Sequence, residues 1–261
     1  MDYNFHTHTH RCRHASGREE DYVKRAIECG VKRMGFSDHI PFIFPDGFES
    51  SFRIPMNEVD DYFKTVKELR EKYKNQVEIF MGFEMEYYPE HFHNMLSFAK
   101  ASCAEYLILG QHFMYNEHPS GYPCQSLCTT KEEIEHYTDC IVSGMKSGVF
   151  TYVAHPDILN FLLEGDNVNI YREKMGEICR VAKETDTPLE INFLGIREKR
   201  RYPNETFWEI AGEIGAPVTF GFDAHSVSSA YDGESLKIAE ELVGKYKLNY
   251  MGEPKLKSLH L

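Results

Sequence analysis

The chain has 261 residues, 42% of them hydrophobic and 27% charged, a composition that builds a sizeable globular core. Its net charge of −12 argues against the basic face needed to grip a nucleic-acid backbone or an anionic membrane. No apolar run approaches the roughly 20 residues of a membrane span, no basic segment leads into an apolar stretch at the start, and seven scattered cysteines suit a reducing compartment, so a cytoplasmic protein is expected.

The first predicted strand, Tyr3–Phe5, runs into His6-Thr7-His8-Thr9-His10 and continues to Cys12 and His14. Alternate residues on a strand point the same way. His6 and His8 therefore offer two imidazoles side by side, as a metal ion requires. His91-Phe92-His93 has the same spacing, but it falls where the sequence turns helical, and residues two apart on a helix do not face each other. Further strands are predicted at Arg33–Ser37, Glu78–Phe83, Tyr106–Gly110, Thr151–Ala154, Leu189–Asn192 and Val218–Phe222. Helical periodicity links them. Val59, Tyr62, Phe63, Val66, Leu69 and Tyr73 repeat at three and four, as do Leu236, Ala239, Leu242, Val243 and Tyr246. Gly30 follows the first helix, and Thr130 with Glu133 forms a capping-box start for the fourth. Strands that alternate with helices imply a parallel sheet, open or closed. No linker divides residues 1–261, so one domain is expected. Two connections are long, Ile40–Pro55 and Phe113–Thr129, and their aromatic content favours ordered walls or a lid.

The residues that follow the strands are His6 and His8, Asp38-His39, Glu84, Gln111-His112, His155, Asn192 with Arg197, and Asp223 with His225. Each has a bland reading when taken alone. Glu84 or Glu86 fits a solvated strand face, and Asp38 and Asp157 fit helix caps. Arg197 opens a basic run in which Arg200 and Arg201 read as solvated surface. Seven such coincidences at consecutive strand ends are another matter. In a (β/α) barrel these positions converge on one face, and the reading is a multi-histidine metal site.

The ordered series His6-x-His8-Thr9-x-x-Cys12-x-His14, Asp38-His39, Gly82-Phe83-Glu84, Gln111-His112-Phe113, Ala154-His155-Pro156-Asp157, Glu190-Ile191-Asn192 and Gly221-Phe222-Asp223-Ala224-His225 resembles the PHP (polymerase and histidinol phosphatase) family. Within it, the monofunctional histidinol-phosphate phosphatases are the most similar. The resemblance spans residues 3 to 250. It implies a single distorted (β/α)7 barrel with three divalent ions (Zn, Mn or Fe) at the C-terminal ends of the strands. His6, His8, Glu84 and Asp223 would hold the first ion, with Glu84 bridging to a second on His112 and His155. His14, His39 and His225 would hold the third. Phe222 stands where a serine is frequent in the family, and His10 is an extra imidazole; neither removes a ligand.

Such a cluster is locally positive inside an acidic protein, so it draws a phosphate dianion. A metal also brings the pKa of bound water down to about 7. The expected activity is hydrolysis of a small phosphorylated substrate, L-histidinol phosphate, by a metal-bridging hydroxide. Glu84, Asp223 and Arg197 are the expected catalytic residues. Arg197, His10 and Asn192 are the expected substrate contacts, Arg197 gripping the phosphate. A PHP-type 3′–5′ exonuclease or nucleotide phosphoesterase is the alternative, against which the negative charge speaks. A non-catalytic metal module is disfavoured by the intact carboxylates.

Overall fold

Outward-facing residues on each strand are apolar and buried under helices, and this alternation sets the architecture. A computed structural model describes residues 1–259. Its strands are β1 (Tyr3–Asn4), β2 (Arg33–Phe36), β3 (Glu78–Met85), β4 (Tyr106–Leu109), β5 (Phe113–Met114), β6 (Tyr122–Pro123), β7 (Phe150–Val153), β8 (Leu189–Asn192), β9 (Pro217–Gly221) and β10 (Asn249–Tyr250). The helices are α1 (Glu19–Glu28), α2 (Val59–Tyr73), α3 (Phe92–Ala101), α4 (Lys131–Lys146), α5 (Asn167–Glu184), α6 (Phe193–Arg197), α7 (Glu205–Ile214) and α8 (Gly233–Tyr246). Eight strands form one parallel sheet in the order β1-β2-β3-β4-β7-β8-β9-β10, and β5 pairs with β6 as a separate hairpin. On β3, Ile79, Met81, Phe83 and Met85 join the helix-covered core, while on β9 Val218 and Phe220 do the same.

The sheet curls until its first strand meets its ninth. Beyond β1, Thr7 bridges Ala224; the His8 amide donates to Ala224 O at 2.9 Å, and the Ala224 amide to His6 O at 3.2 Å. This is the distorted barrel that the motif series implies. Its seven expected strands are present, and periodicity gives no sign of the eighth, the two-residue β10 beside the start of β9. There the Tyr250 and Tyr3 hydroxyls lie 3.0 Å apart. The Thr130 capping box forms as expected: the Glu133 amide donates to Thr130 Oγ1, and the Thr130 amide to the Glu133 carboxylate. Among the described residues no helix is long and apolar enough to cross a membrane.

Both long connections are ordered against each other. Ser50 Oγ and Arg53 Nε donate to the Glu117 carboxylate at 2.7 and 3.0 Å, and the Phe48 and His118 rings stack 4.1 Å apart. They wall one side of the barrel mouth.

Candidate metal centre

Inward-facing residues change character along each strand. On β3 the interior positions are Phe80, Gly82 and Glu84, so the strand delivers a carboxylate to the top of the barrel. Glu84 is 1% exposed, and room for it is made by a neighbour: a Cβ on Gly110 would lie 1.9 Å from Glu84 Oε1. Gly221 does the same for Glu190, where a Cβ would meet Oε1 at 1.8 Å. The two glycines are there because a buried carboxylate occupies the space of their side chains. His155 and Asp223, at the ends of β7 and β9, take left-handed backbone, with φ of 32° and 45°. Such conformations persist only where the surroundings hold them, and they concentrate at functional sites.

Glu84 divides the imidazoles between its two oxygens. Oε2 lies 3.3 Å from His6 Nε2, 3.2 Å from His8 Nε2 and 3.2 Å from His39 Nδ1. Oε1 lies 3.0 Å from His155 Nε2 and 3.2 Å from His112 Nε2. Asp223 Oδ1 faces His6 Nε2 at 3.5 Å, His8 Nε2 at 3.4 Å and His225 Nδ1 at 3.1 Å. His14 and His225 approach through their Nε2 atoms at 3.1 Å. All nine expected ligand residues therefore meet in one cluster, with His39 standing between the Glu84 group and the His14–His225 pair.

A second layer sets the ring orientations. Glu190, buried on β8, lies 2.8 Å from His6 Nδ1 and accepts from the His155 amide at 3.1 Å and from Asn192 Nδ2 at 2.8 Å. With Nδ1 so engaged, Nε2 of His6 is turned toward Glu84 and Asp223, the arrangement that orients metal-ligating histidines. Asp38 accepts from the Thr9 amide and hydroxyl, both at 2.7 Å, so it braces the His8 segment instead of capping a helix. Asp157 accepts from the Asn204 amide and Trp208 Nε1.

The buried donor atoms fit cations. Both ring nitrogens of His8, Nδ1 of His39 and Oδ1 of Asp223 are buried without a hydrogen-bond partner, and burying such groups unpaired is unfavourable. Several sets of three ligand atoms gather closely enough for one ion, among them His6, His8 and Asp223; His6, Glu84 and His155; and His8, His39 and His225. Protonation divides the same way. Burial works against an imidazolium at His6, yet Glu190, Asp223 and Glu84 hold its pKa well above the usual value; at His112, Glu84 outweighs burial and raises it to about 9. Burial and the neighbouring imidazole of His225 push His14 down to about 4, and burial also pushes His39 well below 6.5. Protons thus collect at His6 and His112, each flanked by two or more carboxylates, while His14 and His39 are held neutral by burial and neighbouring imidazoles.

Three expected substrate contacts are placed elsewhere. Arg197 donates to Asp232 Oδ2 at 2.9 Å and to the carbonyls of Phe222 and Asp223, so its guanidinium is consumed in bracing the segment that carries Asp223. Asn192 donates to Glu190 and Asp223 and caps α6 through the Gly195 amide. His10 is exposed, and it does not line the cavity above the cluster. That cavity, about 250 Å³, is lined above the imidazoles by Phe52, Gln125, Ile158, Leu194, Glu198, Arg200 and Tyr202, with Arg200 Nε donating to Glu198 at 2.8 Å and Nη1 to the Tyr202 hydroxyl at 3.1 Å. Arg200, read from the sequence as solvated surface, is the guanidinium on its wall. It turns there because α6 ends at Arg197 and the chain doubles back, with the Arg200 amide bonded to Gly195 O. Of the aromatics in the two long connections, Phe52 alone lines this cavity. Glu86 is fully buried, not a solvated strand position.

The chain is similar to known proteins along most of its length. The PHP domain model matches residues 4–193, well over half of the chain. The chain is 22% identical over 228 residues to the probable histidinol-phosphatase of Deinococcus radiodurans, covering 84% of this chain and 85% of that one. It is 24% identical over 260 residues to the histidinol-phosphatase of Bacillus subtilis, covering 87% and 96%. Among solved structures it superposes on histidinol phosphate phosphatase from Lactococcus lactis, complexed with zinc, L-histidinol and phosphate, with a TM-score of 0.72, 20% identity and coverage of 99% and 97%. The matched segment carries His6, His8, Glu84, His112 and His155, and the chain belongs to the PHP domain family.

Proposed function

We propose that residues 1–261 act as one metal-dependent phosphomonoesterase unit that hydrolyses L-histidinol phosphate to L-histidinol and phosphate. The observation that carries this reading is the split of five imidazoles between the two oxygens of one buried carboxylate, Glu84. In this reading His6, His8 and Asp223 would hold one ion, His112 and His155 a second, with Glu84 shared between them, and His14, His39 and His225 would hold a third. Zinc, manganese and iron all suit such mixed imidazole and carboxylate donors. Bound divalent ions supply Lewis acidity to the phosphoryl group and bring water to a reactive pKa. The chain's own residues do the rest. Glu190 and Asp223 fix the His6 ring, Arg197 braces Asp223, and Arg200 on the cavity wall offers a guanidinium to a phosphate oxygen.

Likeness to the two named histidinol-phosphatases along most of their length supports the choice of substrate. The zinc, L-histidinol and phosphate in the Lactococcus lactis structure support it further. A panel of phosphate esters assayed with added Mn²⁺ or Zn²⁺ tests it. Histidinol phosphate should exceed p-nitrophenyl phosphate and nucleotides by about 10²-fold in kcat/KM. Equal rates would reduce the protein to a general phosphatase, and preference for oligonucleotide ends would replace the reading with an exonuclease.

A further inference from the structure

Glu86 lies two residues beyond Glu84, just past the end of β3, and touches a different set of groups. Arg53, in the Ile40–Pro55 connection, is buried against it: Nη1 donates to Glu86 Oε2 at 2.8 Å and Nη2 to Oε1 at 2.9 Å. Glu86 Oε1 also lies 3.2 Å from His112 Nδ1, while His112 Nε2 faces Glu84 Oε1. Through Nε, Arg53 reaches Glu117 of the Phe113–Thr129 connection, which Ser50 also grips. The preceding residue, Phe52, stacks on His14 with ring centres 4.8 Å apart and planes 4° apart, and its ring centre is 4.0 Å from that of His39. A buried ion pair is often no more stabilising than apolar residues of the same volume. The pair's position between a histidine ring and two loops gives it another use.

We propose that Arg53 and Glu86 are positioning residues of the centre: Glu86 holds the His112 ring with Nε2 toward Glu84, and Arg53 makes that orientation depend on both long connections being closed with Phe52 seated on the imidazoles. The inference rests on the metal-centre reading through His112 and is independent of the substrate's identity. Glu86→Gln keeps the size of the side chain and one acceptor oxygen, and Arg53→Met keeps bulk without the fork. Each variant and the double variant are purified and assessed by melting temperature, bound metal after dialysis, the absorption spectrum of the cobalt-loaded protein, and kcat and KM for p-nitrophenyl phosphate.

The expected result is folded protein in which one ion binds about 10- to 100-fold more weakly, with an altered cobalt spectrum and a fall in kcat larger than any rise in KM. The double variant should be no worse than Glu86→Gln, because Arg53 acts through Glu86. If Arg53→Met fails to fold, Arg53→Lys, which keeps the charge and loses the fork, replaces it and should show the same spectral change. A wild-type spectrum and metal content in Glu86→Gln would overturn the proposal, as would losses that add in the double variant. Altered spectra in a protein whose wild type hydrolyses no phosphate ester would uphold the positioning role and count against the phosphatase reading.

Discussion

Floor and mouth of the same barrel treat buried polar atoms in opposite ways. On the floor, Tyr3, Phe5, Tyr106, Ile108, Tyr152 and Ala154 form a small inner core. Tyr106 there donates to the carbonyls of Phe5 and Phe36 at 2.9 and 3.1 Å, and Tyr3 to Gly252 O at 2.8 Å. Tyr152 is the exception, its hydroxyl unpaired. At the mouth, five buried carboxylates (Asp38, Glu84, Glu86, Glu190 and Asp223) and seven imidazoles crowd together, and His8, His39 and Asp223 have donor or acceptor atoms left over. Apart from that hydroxyl, the floor is satisfied by the chain itself. The mouth needs cations to complete it, and its stability should depend on solution conditions in a way the floor's does not.

Removing metal should therefore have the largest effect. Chelation is expected to abolish turnover and to remove about 4 kcal/mol of stability for each ion bound at 1,000 times its Kd, a fall of ~10 °C in melting temperature per ion for a chain of this size. Tyr106→Phe, a floor substitution that deletes two hydrogen bonds, should cost about 1–3 kcal/mol and leave metal content intact. Calorimetry of both, with elemental analysis, separates the two ends. Equal metal loss in Tyr106→Phe would show that they are not independent.

Gly110→Ala sharpens the comparison, because it adds one methyl where the Glu84 carboxylate sits. Displacing that carboxylate should lower kcat by about 10²-fold or more, several kcal/mol of electrostatic stabilisation, and reduce bound metal. Wild-type kinetics in this variant would mean that Glu84 moves aside freely and does not anchor the cluster.

A smaller effect divides the two arginines. Arg200→Ala should raise KM roughly tenfold for any phosphate ester, the loss of a charge-assisted contact worth about 1.5 kcal/mol. Arg197→Ala should act through Asp223, lowering metal content together with kcat. Reversed behaviour would return the phosphate contact to Arg197.

The mildest expectation concerns pH. Against burial, carboxylates hold His6 and His8 above the usual imidazole range and His112 at about 9. Near pH 7 His112 therefore carries a proton that an incoming cation displaces. Affinity at the site on His112 should rise with pH until it passes about 9, and binding there should release a proton to the buffer. Titration calorimetry in two buffers of different ionisation enthalpy reads this directly; identical heats would contradict the protonation pattern.

Most of the histidines were legible in the sequence because they follow apolar runs whose period announces a strand end; His14 was legible only through the motif that begins at His6. The place of Glu84 at the strand end was legible through its position after Gly82-Phe83. What stayed hidden depends on distances across the barrel. Glu190 holds His6 from 184 positions away. One available signal was a lone charged residue between Leu189 and Ile191, in a parallel strand covered on both faces. Arg197 and Arg200 share one basic run, and only the turn after α6 decides which faces the cavity. Glu86 reads like Glu84 in alternation, and its buried partner Arg53 sits in a connection without periodicity. The eighth strand, two residues long, is below the length at which a pattern exists.

The central claim is that Glu84 alone joins two ions at the mouth, and counting metal in variants tests it most directly. Elemental analysis after dialysis should give close to three divalent ions per wild-type chain and a loss of two in Glu84→Ala. Glu86→Gln should keep the ions on His6 and His14 and weaken that on His112. Unchanged metal in Glu84→Ala would contradict the account, whatever the effect on turnover.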